Sequence, residues 1–452
     1  MGRLITLKAV SDMTDTIAAI ATAPMDAAIS VIRISGPDAI ADINKIASVD
    51  LSEARGYTLH YGTVQDHGEA VDDVMFAVYR APKSYTGEDS VEISCHGGVY
   101  ITRRILSLVL GTGIRMAQRG EFTERAFLNG KMDLAQAEGV NDLIRSRDAV
   151  NASSAMHAVK GSVKHILEPL VEQLTQIVAQ IEVNIDYPEY DDVPTLVNQT
   201  LLPEVQAWIR MCDDLIATAD QAVLVRNGIN TVILGRPNVG KSSLLNALLE
   251  EDKAIVTDVA GTTRDLVEGS VRVGSLTLNL IDTAGIREAK DKVEQIGIEK
   301  SLEALKKADL AIVVLDATAG ITPEDQKILD AVKDKKHIVV YNKKDEKDLP
   351  GTLSISALNK DIQPLIDEIE RLYHNGILSA KSDTLNNERQ IGLARQAADA
   401  MRTAEQELKD GASPDLVTVD LQNAWEALKE ITGEGGKEQL MDEIFSRFCL
   451  GK

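Results

Sequence analysis

Cysteine is scarce in this chain: Cys95, Cys212 and Cys449 are the three in 452 residues. So odd and scattered a set supplies neither a disulfide framework nor a CxxC metal pair, and it fits a reduced compartment. Long apolar runs are lacking too. Nothing approaches the ~20 apolar residues of a membrane span, and the opening MGRLITLKAV is too short for a secretory signal, so no membrane association and a cytoplasmic location are expected. Positive charge is in deficit, with a formal net charge of −22 that repels polyanions and argues against nonspecific coating of nucleic acid. Arg103, Arg104, Arg115, Arg119, Arg125 and Lys131 therefore read as scattered positions on a solvated face rather than as an RNA-binding patch.

The chain has 44% apolar and 26% charged residues, the balance of a folded globular protein, which excludes a mainly disordered one. Its length exceeds one ordinary core of roughly 100–200 residues, so two to four domains are expected. From Thr16 to Ile114, short apolar runs such as ISVIRIS, DVMFAVY and SVEISC alternate with Gly, Pro and Asp turns, the pattern of an α+β domain. Lys131 to Ile185 reads as long helix. YPEYDDVP breaks it, and a second helix runs toward Val225. Further helices are predicted over Asn386–Lys409 and Leu416–Ile431. Helical sequence thus flanks an α/β region on both sides, and the economical packing is one helical domain with the α/β module inserted. The resulting division is 1–130, 131–225, 226–378 and 379–452. No sustained heptad favours a coiled-coil dimer instead.

The run NTVILGRPNVGKSSLLNALLE is a β-branched strand, a GxxxxGKS loop and an amphipathic helix, the context in which a phosphate-binding loop is credible. Gly235 and Gly240 let the backbone close around phosphates. Amides of Asn238, Val239, Gly240, Ser242 and Ser243 and the helix dipole attract the anion, Lys241 reaches the β- and γ-phosphates, and Ser242 is placed for Mg²⁺. Asn342-Lys343-Lys344-Asp345 follows the strand HIVVY and matches NKxD. Its Asp345 can accept both guanine N1–H and N2–H₂, and rejects adenine, which lacks the second donor. Ser356-Ala357-Leu358 resembles the loop behind guanine O6. Asp282-Thr283-Ala284-Gly285 puts Asp282 near Mg²⁺ and a Gly285 amide near the γ-phosphate. Gly261-Thr262-Thr263 lies between, and Thr263 is the candidate second Mg²⁺ ligand. Ile286 stands where Ras-like GTPases carry a water-orienting glutamine, so that group must come from elsewhere.

Together with GEFTERAFLNGKMDLAQAE and the terminal FCLGK, these motifs resemble the MnmE (TrmE) family of tRNA-modification GTPases from Thr16 to Lys452. The resemblance implies a multidomain α/β and α protein with an α+β amino-terminal folate-type domain, a discontinuous α-helical domain and an inserted Ras-like P-loop GTPase domain. It implies a homodimer built on the amino-terminal domains, whose GTPase domains meet when GTP and K⁺ bind. Asn238, Thr257, Val259 and Thr262 would hold the K⁺, with Asp258 and Ala260 in the same nucleotide-contacting loop, and Glu294 would orient the attacking water. Arg33, Glu92, Lys131 and Lys452 would bind formyl-tetrahydrofolate, the one-carbon donor for wobble uridine U34 of tRNA. A flavin-containing partner, MnmG, would complete a heterotetramer. Cys449 would pack or support. The chain departs from the family at APMDAAIS, where a Gly-rich loop is usual, and at Arg119, where a proline is usual. A ribosome-assembly GTPase of the Era or EngA type is the alternative, but it needs a KH-type GXXG segment or a second GTPase copy, and neither is present in the sequence.

Overall fold

The structure is a computed structural model. It describes residues 15–146, 149–186, 198–251, 267–281, 303–380, 383–434, 444–446, 448–449 and 451. It divides into two compact units: Met1–Ser146 with Ala155–Val205 and Asp399–Lys452, and Arg147–Ser154 with Gln206–Ala398.

The first unit holds a six-stranded sheet of β1 (Ile17–Ile20), β2 (Ile29–Ser35), β3 (Thr58–Asp66), β4 (Glu69–Tyr79), β5 (Ser90–His96) and β6 (Arg115–Met116), in the order β3-β4-β5-β2-β1-β6. Period-two alternation sends Ile32, Ile34, Phe76, Val78, Val91 and Ile93 to one face, where they pack with helices α1 (Ala39–Ile43) and α2 (Val99–Gly111). The antiparallel register sets Ile32 opposite Ile93, and so puts the next residues, Arg33 and Glu92, opposite each other on the other face.

Helices α3 (Glu121–Leu128), α4 (Leu134–Arg145), α5 (Ala149–Val159), α6 (Ser162–Asp186) and α7 (Asn198–Asn227) follow. The long helix expected from Lys131 is therefore three. A reciprocal cap between Asp133 and Gln136 starts α4, extended Ser146 ends it, and Gly161, at φ +86°, separates α5 from α6. Later in the chain come α12 (Glu388–Lys409) and α13 (Pro414–Thr432). Trp425 of α13 donates to Thr175 Oγ1 of α6 at 3.1 Å.

The second unit holds a five-stranded sheet, β7 (Ile229–Leu234), β8 (Val267–Val273), β9 (Leu276–Ile281), β10 (Leu310–Asp316) and β11 (His337–Asn342), ordered β11-β10-β7-β9-β8 with only β8 antiparallel. Strand β10, LAIVVLD, is buried along its whole length, as a central parallel strand covered on both faces must be. Helices α8 (Lys241–Glu251), α9 (Pro323–Ala331), α10 (Gln363–Leu372) and α11 (His374–Ala380) belong here. The later part of α7 and the start of α12 join this unit too. Cys212 Sγ meets Ala394 O at 3.5 Å, and Arg395 Nη2 donates to both carboxylate oxygens of Asp220 at 2.7 Å. No described helix is long and apolar enough to cross a membrane.

Candidate functional site

Parallel α/β sheets bind ligands beyond the carboxyl ends of their strands, and in the second unit the loops after β7, β10 and β11 meet there. Between β7 and α8, Asn238 is exposed at φ +62° and Val239 is buried. Gly240 sits at φ +98°, where a Cβ would lie 2.1 Å from Asn342 Nδ2, so no side chain fits. Ser242 and Ser243 are exposed on the first turn of α8, whose Leu244, Leu245 and Leu248 turn into the core. Lys241 Nζ donates to the carbonyls of Gly235 at 2.7 Å and Arg236 at 2.8 Å. Burial pushes its ammonium below the usual lysine range, a lowered proton affinity that a phosphate would offset.

Asn342 ends β11 and ties the loops together. Its Nδ2 donates to Val239 O at 2.9 Å, and its Oδ1 accepts from Ala357 N at 2.9 Å. A short stretch pairs with β11 through Tyr341 N to Leu353 O and Ile355 N to Tyr341 O, both 2.8 Å, and this brings Ser356 to Asp345, whose Oδ1 accepts from the serine hydroxyl. Ala357 is buried and Leu358, the next residue, is 77% exposed. Lys343 stands at φ +71° and its Nζ donates to Asp316 Oδ2 at 2.6 Å. Burial works against the Asp316 charge, but Lys343 and Thr318 outweigh it and hold the carboxyl at about 2. Sequence reasoning missed Asp316, although an acid closing a wholly buried strand was a visible signal. It also missed Asp325, buried at the start of α9, with one oxygen 3.3 Å from Arg236 Nε.

The structure therefore brings together Asn238, Val239, Gly240, Lys241, Ser242 and Ser243 with Asn342, Lys343, Asp345, Ser356, Ala357 and Leu358 around one rim. Thr257, Asp258, Val259, Ala260, Gly261, Thr262, Thr263, Asp282, Thr283, Ala284, Gly285, Glu294 and Lys452 lie outside the described residues.

In the first unit Arg33 Nε donates to Glu92 Oε1 at 2.8 Å and Nη1 to Gly451 O at 3.4 Å, and the guanidinium lies 5.4 Å from the Tyr85 ring centre and 5.7 Å from that of Phe122. These two sequence-predicted charges neutralise one another. Lys131 has a different partner, its Nζ donating to Pro82 O at 2.9 Å. Cys449 is exposed, its carbonyl 3.5 Å from Gly120 N. The loop APMDAAIS runs close to Gly97, where a Cβ would strike the Ala27 carbonyl. Ala27 N donates to Gly97 O at 3.0 Å, and Asp26 accepts from Val99 N at the start of α2.

The solvated-face reading fails for Arg115 and Arg125. Arg125 is fully buried, with Nη2 donating to Asp15 Oδ1 at 2.7 Å and Glu121 Oε1 at 3.0 Å and Nη1 to Glu88 Oε1 at 3.1 Å. Arg115 bonds the same Asp15 and Glu121 at 2.6 Å each. A buried guanidinium is tolerable only with such compensation. Arg103 and Arg119 do lie exposed on the surface, and Arg104 pairs with Asp66.

Two family descriptions match the chain: the GTP-binding protein TrmE N-terminus over residues 16–131 and the MnmE helical domain over residues 134–449. The tRNA modification GTPase MnmE of Lacticaseibacillus paracasei is 45% identical over 97% of this chain and 98% of its own length, and that of Levilactobacillus brevis is 45% identical with the same coverage. Among solved structures, Era in complex with MgGDPNP and a 16S ribosomal RNA segment is 27% identical over 38% of this chain and 66% of that one, with a TM-score of 0.25. Because both family descriptions and full-length relatives agree on either side of the nucleotide loops as well as across them, the chain belongs to the MnmE family of tRNA modification GTPases and is a GTP hydrolase.

Proposed function

We propose that this chain is a potassium-dependent, dimerisation-activated GTP switch, located in the cytoplasm, that acts with an MnmG-type flavoprotein to modify the wobble uridine of certain tRNAs. The observation that carries the nucleotide half of this reading is the Asn342 clasp, which joins the phosphate loop at Val239 to the base loop at Ala357. One amide thereby sets the distance between the two ends of a guanosine nucleotide. GTP as substrate follows from the family.

Ser242, on the exposed first turn of α8, is a hard oxygen donor suited to Mg²⁺, with Thr263 as its proposed companion. The exposed, left-handed Asn238 is likewise an oxygen donor available to K⁺, alongside Thr257, Val259 and Thr262. A monovalent cation there supplies the positive charge that an arginine finger supplies elsewhere, while Glu294 is assigned to hold the attacking water. In the first unit, Arg33 and Glu92 offer an anion site and a hydrogen-bond acceptor to formyl-tetrahydrofolate, with Lys131 and Lys452. The partly exposed Tyr85 ring beside Arg33 suits a flat pterin, and a ligand binding there would share or open the Arg33–Glu92 pair.

The deciding experiment is GTP hydrolysis by the full-length chain in K⁺ against Na⁺. Turnover should be on the order of tenfold or more faster in K⁺, and Glu294→Ala should lower it by on the order of 10²-fold at unchanged GTP affinity. Equal rates in the two cations would sink the potassium reading and leave GTP hydrolysis standing. The Era-type alternative gains nothing here, because the segments on both sides of the GTPase region match MnmE domains.

A further inference from the structure

Two carboxylates stand at the rim of the base subsite, and the motifs account for only one. Asp345 is the guanine acceptor by the reading above, on which this inference rests. Asp316 belongs to no nucleotide motif, yet β10 and β11 run parallel in a register that sets it directly opposite Asn342, next to Lys343. Its orientation is fixed by three bonds. Oδ1 accepts from Thr318 N at 2.9 Å and Thr318 Oγ1 at 2.6 Å, and Oδ2 accepts from Lys343 Nζ at 2.6 Å. The residue is 8% exposed, so water competes weakly for that charge-assisted bond.

Lys343 is held twice over. Its ammonium is moored to Asp316, and its backbone occupies φ +71°, a conformation that non-glycine residues keep only where the surroundings impose it. The turn it opens closes through Glu346 N to Lys343 O at 2.9 Å and Lys344 N to Ile355 O at 3.0 Å, and Asp345 lies inside that turn. We propose that Asp316 is a positioning residue for guanine recognition: by mooring Lys343 it fixes the turn that presents Asp345 before nucleotide arrives. A preformed acceptor loses no ordering entropy on binding, so the mooring lengthens nucleotide residence and leaves phosphate chemistry alone.

The test is a double-mutant cycle on the full-length chain, read as dissociation of a fluorescent GDP analogue and as steady-state GTP turnover. Asp316→Asn keeps the shape and removes the charge. It should speed GDP release and raise KM about tenfold while lowering kcat at saturating GTP less than twofold, the loss expected for one charge-assisted bond. Lys343→Met should do the same, and the double variant should release GDP no faster than Lys343→Met alone. Asp316→Glu, which retains the charge, should recover most of the residence time. Effects that multiply in the double variant, or a fall in kcat at unchanged KM, would overturn the proposal. If Asp316→Asn does not fold, Thr318→Val, which removes the hydroxyl that aims the Asp316 carboxylate, should speed release in the wild-type background and not in Lys343→Met, and equal acceleration in both backgrounds is equally fatal. Base choice is read separately, by Asp345→Asn with xanthosine triphosphate, so a wrong guanine assignment and a wrong mooring are distinguishable.

Discussion

In the five-stranded sheet the site residues sit at strand ends, in loops that directly follow β7 and β11, whereas in the six-stranded sheet Arg33 and Glu92 sit in mid-strand on the face opposite the core. The first arrangement is stitched by a neutral amide, Asn342, with the Lys343–Asp316 pair beside it. The second is made of charges that answer one another, Arg33 with Glu92 and, nearby in sequence, Arg125 with Asp15, Glu88 and Glu121. Loops at strand ends can change without dismantling a sheet, but buried charge cannot lose a partner without leaving the other stranded. Substitutions in the nucleotide rim should therefore cost function, and substitutions in the Arg125 network should cost folding.

The sharpest way to break that contrast is Gly240→Ala. Its methyl would meet Asn342 Nδ2 at 2.1 Å in a backbone conformation alanine resists, so the clasp must open. GTP turnover should fall by about 10³-fold or more, as it should for Lys241→Ala, with the melting of the first unit unchanged. The chain has two tryptophans, Trp208 in the second unit and Trp425 in the first, so fluorescence with a Trp425→Phe control separates the two signals. Next in size is Arg125→Met, which removes a fully buried guanidinium from three carboxylates. It should destabilise the first unit by about 3–5 kcal/mol, seen as an early Trp425 transition in urea, while GTP affinity stays as it was. Loss of GTP affinity with no shift in that transition would invert the comparison. Smaller again is Asp345→Asn, which should weaken GTP binding by on the order of 10²-fold and favour xanthosine triphosphate, whose O2 can accept from the new amide. Undiminished GTP binding would remove Asp345 from the base subsite.

The same contrast governs what could be read without coordinates. The phosphate loop and the NKKD turn are contiguous runs hung on apolar strands, so spacing alone located them, and the family resemblance extended to both flanks. Asp316 escaped because its role depends on the register of β10 with β11 and on a lysine 27 residues away. Arg125 reads as solvated in the sequence because its compensating charges at Asp15 and Glu88 lie 110 and 37 residues distant. Arg33 meets Glu92 across 59 residues and Gly451 across 418, so nothing local joins them and only resemblance to a family could. The helix expected after Lys131 divides at Gly161, since a lone glycine in a helical pattern does not disclose whether its φ will be positive.

The finest discrimination between the two regions comes from acid. Glu121 is pushed up by burial, but Arg115, the Gln118 amide and Arg125 outweigh that and hold its carboxyl below the usual 4.5. Asp15 behaves alike, burial being outweighed by Arg115 and Arg125, which hold it below 3.8. A carboxyl whose folded value is depressed contributes stability that is complete above its unfolded value and is lost as pH falls through the folded one. The contribution of Glu121 to the first unit is therefore lost progressively below pH 4.5, whereas Asp133 in the same unit, raised by burial, acts in the opposite sense. In the second unit Asp316, lowered from 3.8 to about 2, weakens its surroundings only over that more acidic window. Glu121→Gln abolishes that carboxyl's proton uptake, so the stability of the first unit, taken from urea transitions between pH 5 and 3, should lose a pH dependence of up to about one proton, while the second unit keeps its own. A wild-type slope retained in Glu121→Gln would mean that the arginines hold Glu121 no more tightly in the folded chain than in the unfolded one.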